Sequence, residues 1–354
     1  MISDLHIGVK NNNSIFFKNT IEDYFNNFFF PVIQKNCDPL RGDILIVLGD
    51  VFDNRQNINS FVLSYTVQLF ERLSKCFKKT YVICGNHDTP STKENTNSAL
   101  ACLKHIENIE VVSNSPICVQ YKNSLLGMLP WNGNTEELKE WAADMPNADY
   151  LFCHIETAGA VLTHKNTRSE KDFEASSLGK HKMIYSGHIH IKQKQRNIHY
   201  IGSPYHINKN DIGNTKGILI LDTEKNEEMF LPNDRSPQYV VINMSDYEKD
   251  PLTRDKMINN YCTVVVSSEA LTERKTKDLI SELSDSVGKE NGPLSVNIEL
   301  YENKEEIHTE NIKNNSSFSL YEFVSEYIDN CEDYSDKEKG LLKKLICEPL
   351  KALQ

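Results

Sequence analysis

Five short clusters are each rich in metal-ligating side chains: Asp4-Leu5-His6, Gly49-Asp50-Val51-Phe52-Asp53, Gly85-Asn86-His87-Asp88, His154 and Gly187-His188-Ile189-His190. Carboxylates, an amide oxygen and imidazoles are ligands for divalent cations. The spacing of Asp4 and His6 puts both side chains on one face of a strand end, because side chains alternate along a strand, and the same holds for His188 and His190. Read singly, each cluster has an ordinary explanation: a surface turn at Gly-Asp or Gly-Asn, or a packed histidine at 154. Read in order, four of them follow apolar runs, which places the donors at the carboxyl ends of strands, where open α/β sheets form their crevices. The candidates Asp4, His6, Asp50, Asn86, His154, His188 and His190 are too many for one tetrahedral ion and suit two ions that share a carboxylate.

The elements that position these residues are legible from periodicity. Apolar residues from Ile15 to Ile33 keep near helical spacing, Pro39 and Gly42 punctuate the chain, and Ile44 to Leu48 reads as a buried strand. A helix over Phe61 to Leu73 leads into a strand at Tyr81 to Cys84. A third helical stretch is expected around Ala99 to Lys104, and strands near Val111, Leu125 to Leu129 and Tyr150 to Cys153. Strands then dominate through Met183 to Ser186, Ile198 to Ile201 and Gly217 to Leu221. This alternation predicts a layered α/β domain over residues 1–235.

After the polar stretch Pro232 to Pro237 the pattern restarts, with strands at Tyr239 to Met244, Tyr261 to Ser267 and Leu294 to Leu300 and a helix over Glu273 to Val287. Residues 236–302 are read as a small α+β unit. Residues 303–317 are polar and aperiodic and read as a linker. Ser319 with Glu322, and Ser335 with Glu338, have the spacing of capping boxes, so 318–354 is expected to form a helical hairpin. Its apolar faces either pack back on the chain or dock on a partner.

The ordered set Asp-x-His, Gly-Asp-x-x-Asp, Gly-Asn-His-Asp, His, Gly-His-x-His resembles the signature of the calcineurin-like metallophosphoesterases. Within them it is similar to the SbcD-type DNA nuclease subunits, above all their phage recombination relatives. Supporting features are the Ile-Gly after His6, Pro130-Trp131, Gly202-Ser203-Pro204, the small second unit as a cap and the terminal hairpin. The resemblance implies a β-sandwich flanked by helices and two divalent ions, with manganese the implied metal and magnesium, iron and zinc left open. Asp50 would bridge the ions; Asp4, His6 and His190 would complete one shell, and Asn86, His154 and His188 the other. His87 would face the scissile phosphate as a charge stabiliser or leaving-group acid, with Asp88 orienting it and Asp53 in a supporting role. The implied activity is 3′ to 5′ exonuclease on duplex ends and endonuclease on single strands or hairpins, together with an SMC-like coiled-coil ATPase gripped by 318–354. Homodimerisation through the early helices is also implied, although the Phe-rich face of Phe16 to Phe30 reads equally well as core. The alternatives are a small-molecule or protein phosphoesterase and a non-catalytic DNA-end-binding scaffold. Only Met1, Ile2 and Ser3 precede Asp4, so the first strand looks clipped: either the start is placed too late or the fold tolerates a stub, and a truncated strand would hold Asp4 and His6 loosely.

With 354 residues the chain exceeds what one core usually serves. Its 39 basic and 50 acidic residues leave a net charge of −11, the wrong sign for a protein held on DNA by a general positive field. Charge is uneven, however: residues 160–200 carry eight Lys and Arg against three Asp and Glu, the composition of a basic loop beside the metal motifs. The nine cysteines form no C-x-x-C pair, and no secretory leader or membrane span is read, so the expected setting is the cytoplasm of a bacterial or phage-infected cell. His105, His164, His181, His199, His206 and His308 lack paired spacing and are read as packed or surface residues, with His206 open to a role near the substrate.

Overall fold

The computed structural model describes residues 1–12, 14–90, 98–267, 270, 274–301, 339 and 343. The chain divides into Met1–Glu302 and Asn303–Gln354. The expected linker and terminal hairpin lie outside the described residues.

Four sheets are described in the first unit, and two of them position the metal-ligating clusters. Strands β1 (Ile44–Val47), β2 (Lys79–Ile83) and β3 (Ile109–Val112) form a parallel sheet. A six-stranded sheet has the order β4 (Ile117–Tyr121), β5 (Ser124–Leu129), β6 (Tyr150–His154), β7 (Met183–Gly187), β9 (Ile198–Tyr200), β8 (Gln193–Gln195), parallel from β5 through β9 with antiparallel edges. Strands β10 (Gly217–Asp222) and β11 (Glu227–Pro232) form an antiparallel pair.

Side-chain alternation makes the layers. In β6, Tyr150 and Phe152 enter the core between the sheets with Ile46, Leu48, Ile83 and Met128, while Leu151 and Cys153 enter the core on the far face. In β1, Leu45 and Val47 pack instead against helices, with Phe70 and Leu73 of α1 (Ser60–Cys76). On the opposite side α2 (Thr135–Asp144) contributes Leu138 and Ala142. The result is helices, sheet, sheet, helix, and strands β1, β2, β5, β6 and β7 place apolar side chains in the cores on both of their faces.

The early helical run Ser14–Phe16, Phe17–Glu22, Tyr24–Phe29 and Phe30–Asn36 is helical as its spacing predicts, but its middle is wound in wide π-type turns. Pro31 stands at the junction where the wide turns give way to α-helix, and a proline there has no amide to bond the residue a turn back. Phe16, Phe17, Phe25, Phe29 and Phe30 are buried with Tyr205, Tyr239 and Tyr261, so this aromatic face is core. The stretch at Ala99–Leu103 is a short 3-10 helix.

Residues 239–301 carry a three-stranded parallel sheet, β12 (Tyr239–Asn243), β13 (Tyr261–Ser267) and β14 (Ser295–Tyr301), with α3 (Arg274–Ser286) crossing between the last two. It has its own core around Ile242, Val264, Val266 and Leu283.

The stub before Asp4 is firmly held. Ile2 pairs with Val47, Met1 exchanges backbone hydrogen bonds with Leu219, and Asp4, His6 and Ile7 donate their amides to Gly49, Asp50 and Val51. These bonds fix Asp4 and His6 from the β1 side, against the expectation of a loose pair.

His181 is buried, and its Nδ1 accepts the Ala148 amide at 3.1 Å. Burial pushes its pKa down to about 4. The unfolded chain, with a histidine near 6.5, therefore takes up a proton between pH 6.5 and 4 that the folded chain refuses, so stability falls as pH drops through that window. Thermal melts of metal-free protein should show this loss, and His181→Gln should flatten it. His181→Leu should cost about 1–3 kcal/mol at pH 7 by leaving the buried Ala148 amide unanswered.

Candidate metal centre

All five clusters lie at the carboxyl ends of strands. Asp50 follows β1, Asn86 and His87 follow β2, His154 ends β6, His188 and His190 follow β7, and Asp4 and His6 follow the Ile2 bridge to β1. Asp4, His6, Asp50 and His188 all have left-handed backbones, with φ of 53, 43, 51 and 78°. Such conformations are disfavoured for these residue types and persist where the surroundings impose them.

The side chains gather in two touching groups. In one, His6 Nε2 lies 3.1 Å from His190 Nε2, and Asp4 Oδ1 lies 4.0 Å from His190 Nε2. In the other, Asn86 Oδ1 lies 3.0 Å from His154 Nε2 and 2.8 Å from His188 Nδ1, and those nitrogens are 3.3 Å apart. Asp50 stands between the groups: Oδ2 is 3.6 Å from His6 Nε2 and Oδ1 is 3.3 Å from His154 Nε2.

Supporting contacts aim the nitrogens inward. His154 donates Nδ1–H to the Leu48 carbonyl at 2.7 Å, and His6 donates Nδ1–H to Asp53 at 3.1 Å, so each offers Nε2 to the centre. His188 turns Nδ1 to the centre because Nε2 is held by Glu156 at 3.0 Å. Sequence reasoning did not single out Glu156; its position two residues after His154 was the available signal.

His87 borders the first group, its ring centroid 4.8 Å from that of His6. Its Nδ1–H goes to the Asp53 carbonyl at 2.5 Å, which leaves Nε2 for a ligand. The expected orienting contact from Asp88 is absent: the Asp88 carboxylate is buried and accepts the amides of Phe52 and Gly85, at 3.0 and 2.9 Å. It ties the loop after β2 to the loop after β1 instead. His206 is also away from this role, buried and accepting the Tyr239 amide.

The electrostatics are those of a cation site. Burial opposes charge on Asp50, yet His154, His6 and His87 hold its carboxyl well below the usual range. Burial likewise favours neutral His154, yet Asp50 and Asp4 raise it to about 9. Asp4 Oδ2 is buried with no hydrogen-bond partner. Apposed imidazole nitrogens and an unanswered carboxylate oxygen are costly in a protein interior and are answered together by cations. The residues thus fit divalent metal.

Close packing leaves little slack. A Cβ at Gly187 would overlap Ser3 Oγ and the Leu48 carbonyl and lie 2.9 Å from His154 Nδ1. Gly187→Ala should therefore cost about 1–3 kcal/mol and weaken metal binding, read by melting with and without chelator.

At least three of the eight basic residues of 160–200 are engaged within the fold. Lys180 caps the carbonyls of Ala143 and Met145, Lys194 pairs with Glu228, and Lys192 lies over the Phe230 ring.

A layered α/β sandwich with imidazoles and carboxylates gathered at its strand ends defines a metal-binding hydrolase architecture. The chain belongs to the calcineurin-like phosphoesterase family, whose profile matches residues 1–192. That family uses divalent metal ions. Over 191 residues the chain is 27% identical to exonuclease subunit 1 of Enterobacteria phage T4, a match covering 53% of this chain and 55% of that protein. The match thus spans about half the length of that curated relative. A solved structure described as a novel archaeal phosphodiesterase matches 66% of this chain and 97% of its own, at 14% identity and a TM-score of 0.31. No helix among the described residues is long and apolar enough to cross a membrane.

Proposed function

We propose that the chain is the nuclease subunit of a DNA-processing complex, hydrolysing phosphodiesters with two divalent ions, manganese by preference. The observation that carries this is the placement of Asp50 between two donor groups, one carboxylate oxygen toward each. Asp4, His6 and His190 would hold one ion and Asn86, His154 and His188 the other, with Asp50 placed to serve both. When bound, such a pair supplies Lewis-acid stabilisation to the entering and departing oxygens of an in-line displacement at phosphorus. His87, fixed by donating Nδ1–H to the Asp53 carbonyl, presents Nε2 to the phosphate and, once protonated there as an imidazolium, gives that proton to the leaving oxygen and returns to the neutral ring. Asp53 keeps His6 oriented, and Glu156 does the same for His188.

Support for a nucleic-acid substrate comes from the name of the phage T4 relative and from a cavity of about 340 Å³ whose wall begins at Arg55, two residues after Asp53 in the chain. Arg55, Gln56, Lys104, Ser113 and Asn114 are among its walls, and no carboxylate is among its described lining residues. In a chain of net charge −11 this is a local place for a phosphate backbone. The proposed activities are 3′ to 5′ exonuclease on duplex ends and endonuclease on single strands and hairpins. The proposed organisation is nuclease domain 1–235, cap 236–302, linker 303–317 and docking hairpin 318–354, the last for an SMC-like coiled-coil ATPase, within a homodimer.

The test is hydrolysis by purified protein of linear duplex DNA and of bis(p-nitrophenyl) phosphate, with manganese and with chelator. Metal-dependent cleavage of both is expected. Turnover of the small ester with DNA left intact would refute the nuclease reading. Deleting 318–354 should abolish ATPase binding and spare ester hydrolysis; unchanged binding would discard the docking role.

A further inference from the structure

Behind the first donor group lies a charged pair that the chemistry above does not use. Lys216 and Asp211 are buried to 3% and 0% exposure, unusual for a lysine in any fold. The ammonium has three hydrogens and meets three acceptors: the His190 carbonyl at 2.7 Å, Ser203 Oγ at 2.9 Å and Asp211 Oδ1 at 2.5 Å. Asp211 spends its other oxygen on the amides of Ile207 and Asn208, at 2.8 and 3.0 Å. The His190 carbonyl also accepts the Ser203 amide at 3.2 Å. Gly202 has φ of +77°, and a Cβ there would stand 2.8 Å from the His190 carbonyl oxygen, so the loop lies directly against the ligand's backbone.

The same loop reaches a second ligand pair. Ser203 Oγ donates to the Tyr205 carbonyl at 2.9 Å, and the Tyr205 hydroxyl donates to the Leu5 carbonyl, between Asp4 and His6. The segment 202–216 therefore holds the backbone at His190 and at Leu5, the residue between Asp4 and His6. The side chains of the other group take their support elsewhere, His154 from the Leu48 carbonyl and His188 from Glu156, and the His188 amide on Asp4 Oδ1 is a link between the groups that does not pass through 202–216. A buried ion pair is expensive and adds little stability over an apolar pair of the same volume. Its specific contact here is with a ligand's carbonyl.

We infer that Lys216, neutralised by Asp211, is a positioning residue that sets the affinity of one ion, the one held by Asp4, His6 and His190, and leaves the other ion's affinity unchanged. This rests on the two-ion reading given above. The test is manganese titration of metal-free full-length protein followed by electron paramagnetic resonance, which separates free, isolated and spin-coupled ions. Wild type is compared with Lys216→Met, with the neutral pair Lys216→Met/Asp211→Asn, and with His190→Ala and His154→Ala as references for the two sites. The double variant keeps shape and leaves no buried unpaired charge, so it carries the test where the single variant fails to fold. Expected is a loss of about 10- to 100-fold in one dissociation constant, the usual cost of removing a ligand's support, with the other within twofold and a spectrum like that of His190→Ala. Equal weakening of both ions, as a general loss of stability would produce, overturns the inference, and so do two unchanged constants. Wild-type protein that binds fewer than two ions would overturn the two-ion reading itself.

Discussion

Asp50→Asn is expected to lower kcat/KM on a small phosphodiester by about 10³-fold or more and to bring the metal content of dialysed protein to below one ion per chain. Asparagine keeps the shape but offers one neutral oxygen where two charged ones stand 3.3 and 3.6 Å from the imidazole nitrogens of opposite groups. Every other candidate ligand belongs to one group, so its loss should spare one ion. Asp50 Oδ1 also accepts the His87 amide at 2.8 Å, and an asparagine oxygen can retain that bond. The loop carrying His87 should therefore stay in place, and the loss should be one of metal rather than of fold. Metal analysis together with a melting curve of the chelated protein separates the two. An Asp50→Asn protein that holds both ions at wild-type affinity would show that the carboxylate does not link them.

His87→Ala is the complementary case. Its ring bonds to the Asp53 carbonyl and packs edge-on to His6, but it is not needed to complete either donor group. Removing it should leave both manganese affinities within a few-fold of wild type while kcat falls by about 10²- to 10⁴-fold, the range for losing a positioned acid or base. Substrates with a good leaving group, such as a p-nitrophenyl ester, should suffer less than DNA, because they need little help at the departing oxygen. Equal losses on both substrates, or loss of an ion, would assign His87 another role.

Much of this centre was legible in the sequence because its residues fall into compact clusters behind apolar strands. The run Ile44 to Leu48 and the run Tyr150 to Cys153 are apolar on both faces, and the strands they form put Asp50 and His154 at their ends. What remained hidden depends on contacts between distant residues. Glu156 reaches His188 across 32 positions and Lys216 reaches the His190 carbonyl across 26; the place of Glu156 two residues after His154 is the one local hint of the first contact, and no local pattern marks the second. The left-handed backbones of Asp4, His6, Asp50 and His188 are equally silent, since Asp and His carry no strong preference for them. Adjacency misled in one place: His87 and Asp88 are neighbours in sequence, but consecutive side chains diverge, and Asp88 turns inward to two backbone amides while Asp53 meets His87. Charge counting missed another feature: it picked out 160–200, of which Lys180, Lys194 and Lys192 are engaged within the fold, but not the cavity with Arg55 and Lys104 in its wall, which nothing in the local composition distinguished.

The most direct measurement is stepwise addition of manganese to metal-free protein with linear duplex DNA present, following nucleotide release against ions bound per chain. The account predicts no release without metal, and release that reaches its full rate only as occupancy approaches two ions per chain. DNA left intact at two bound ions, or release that persists in chelator, would contradict it.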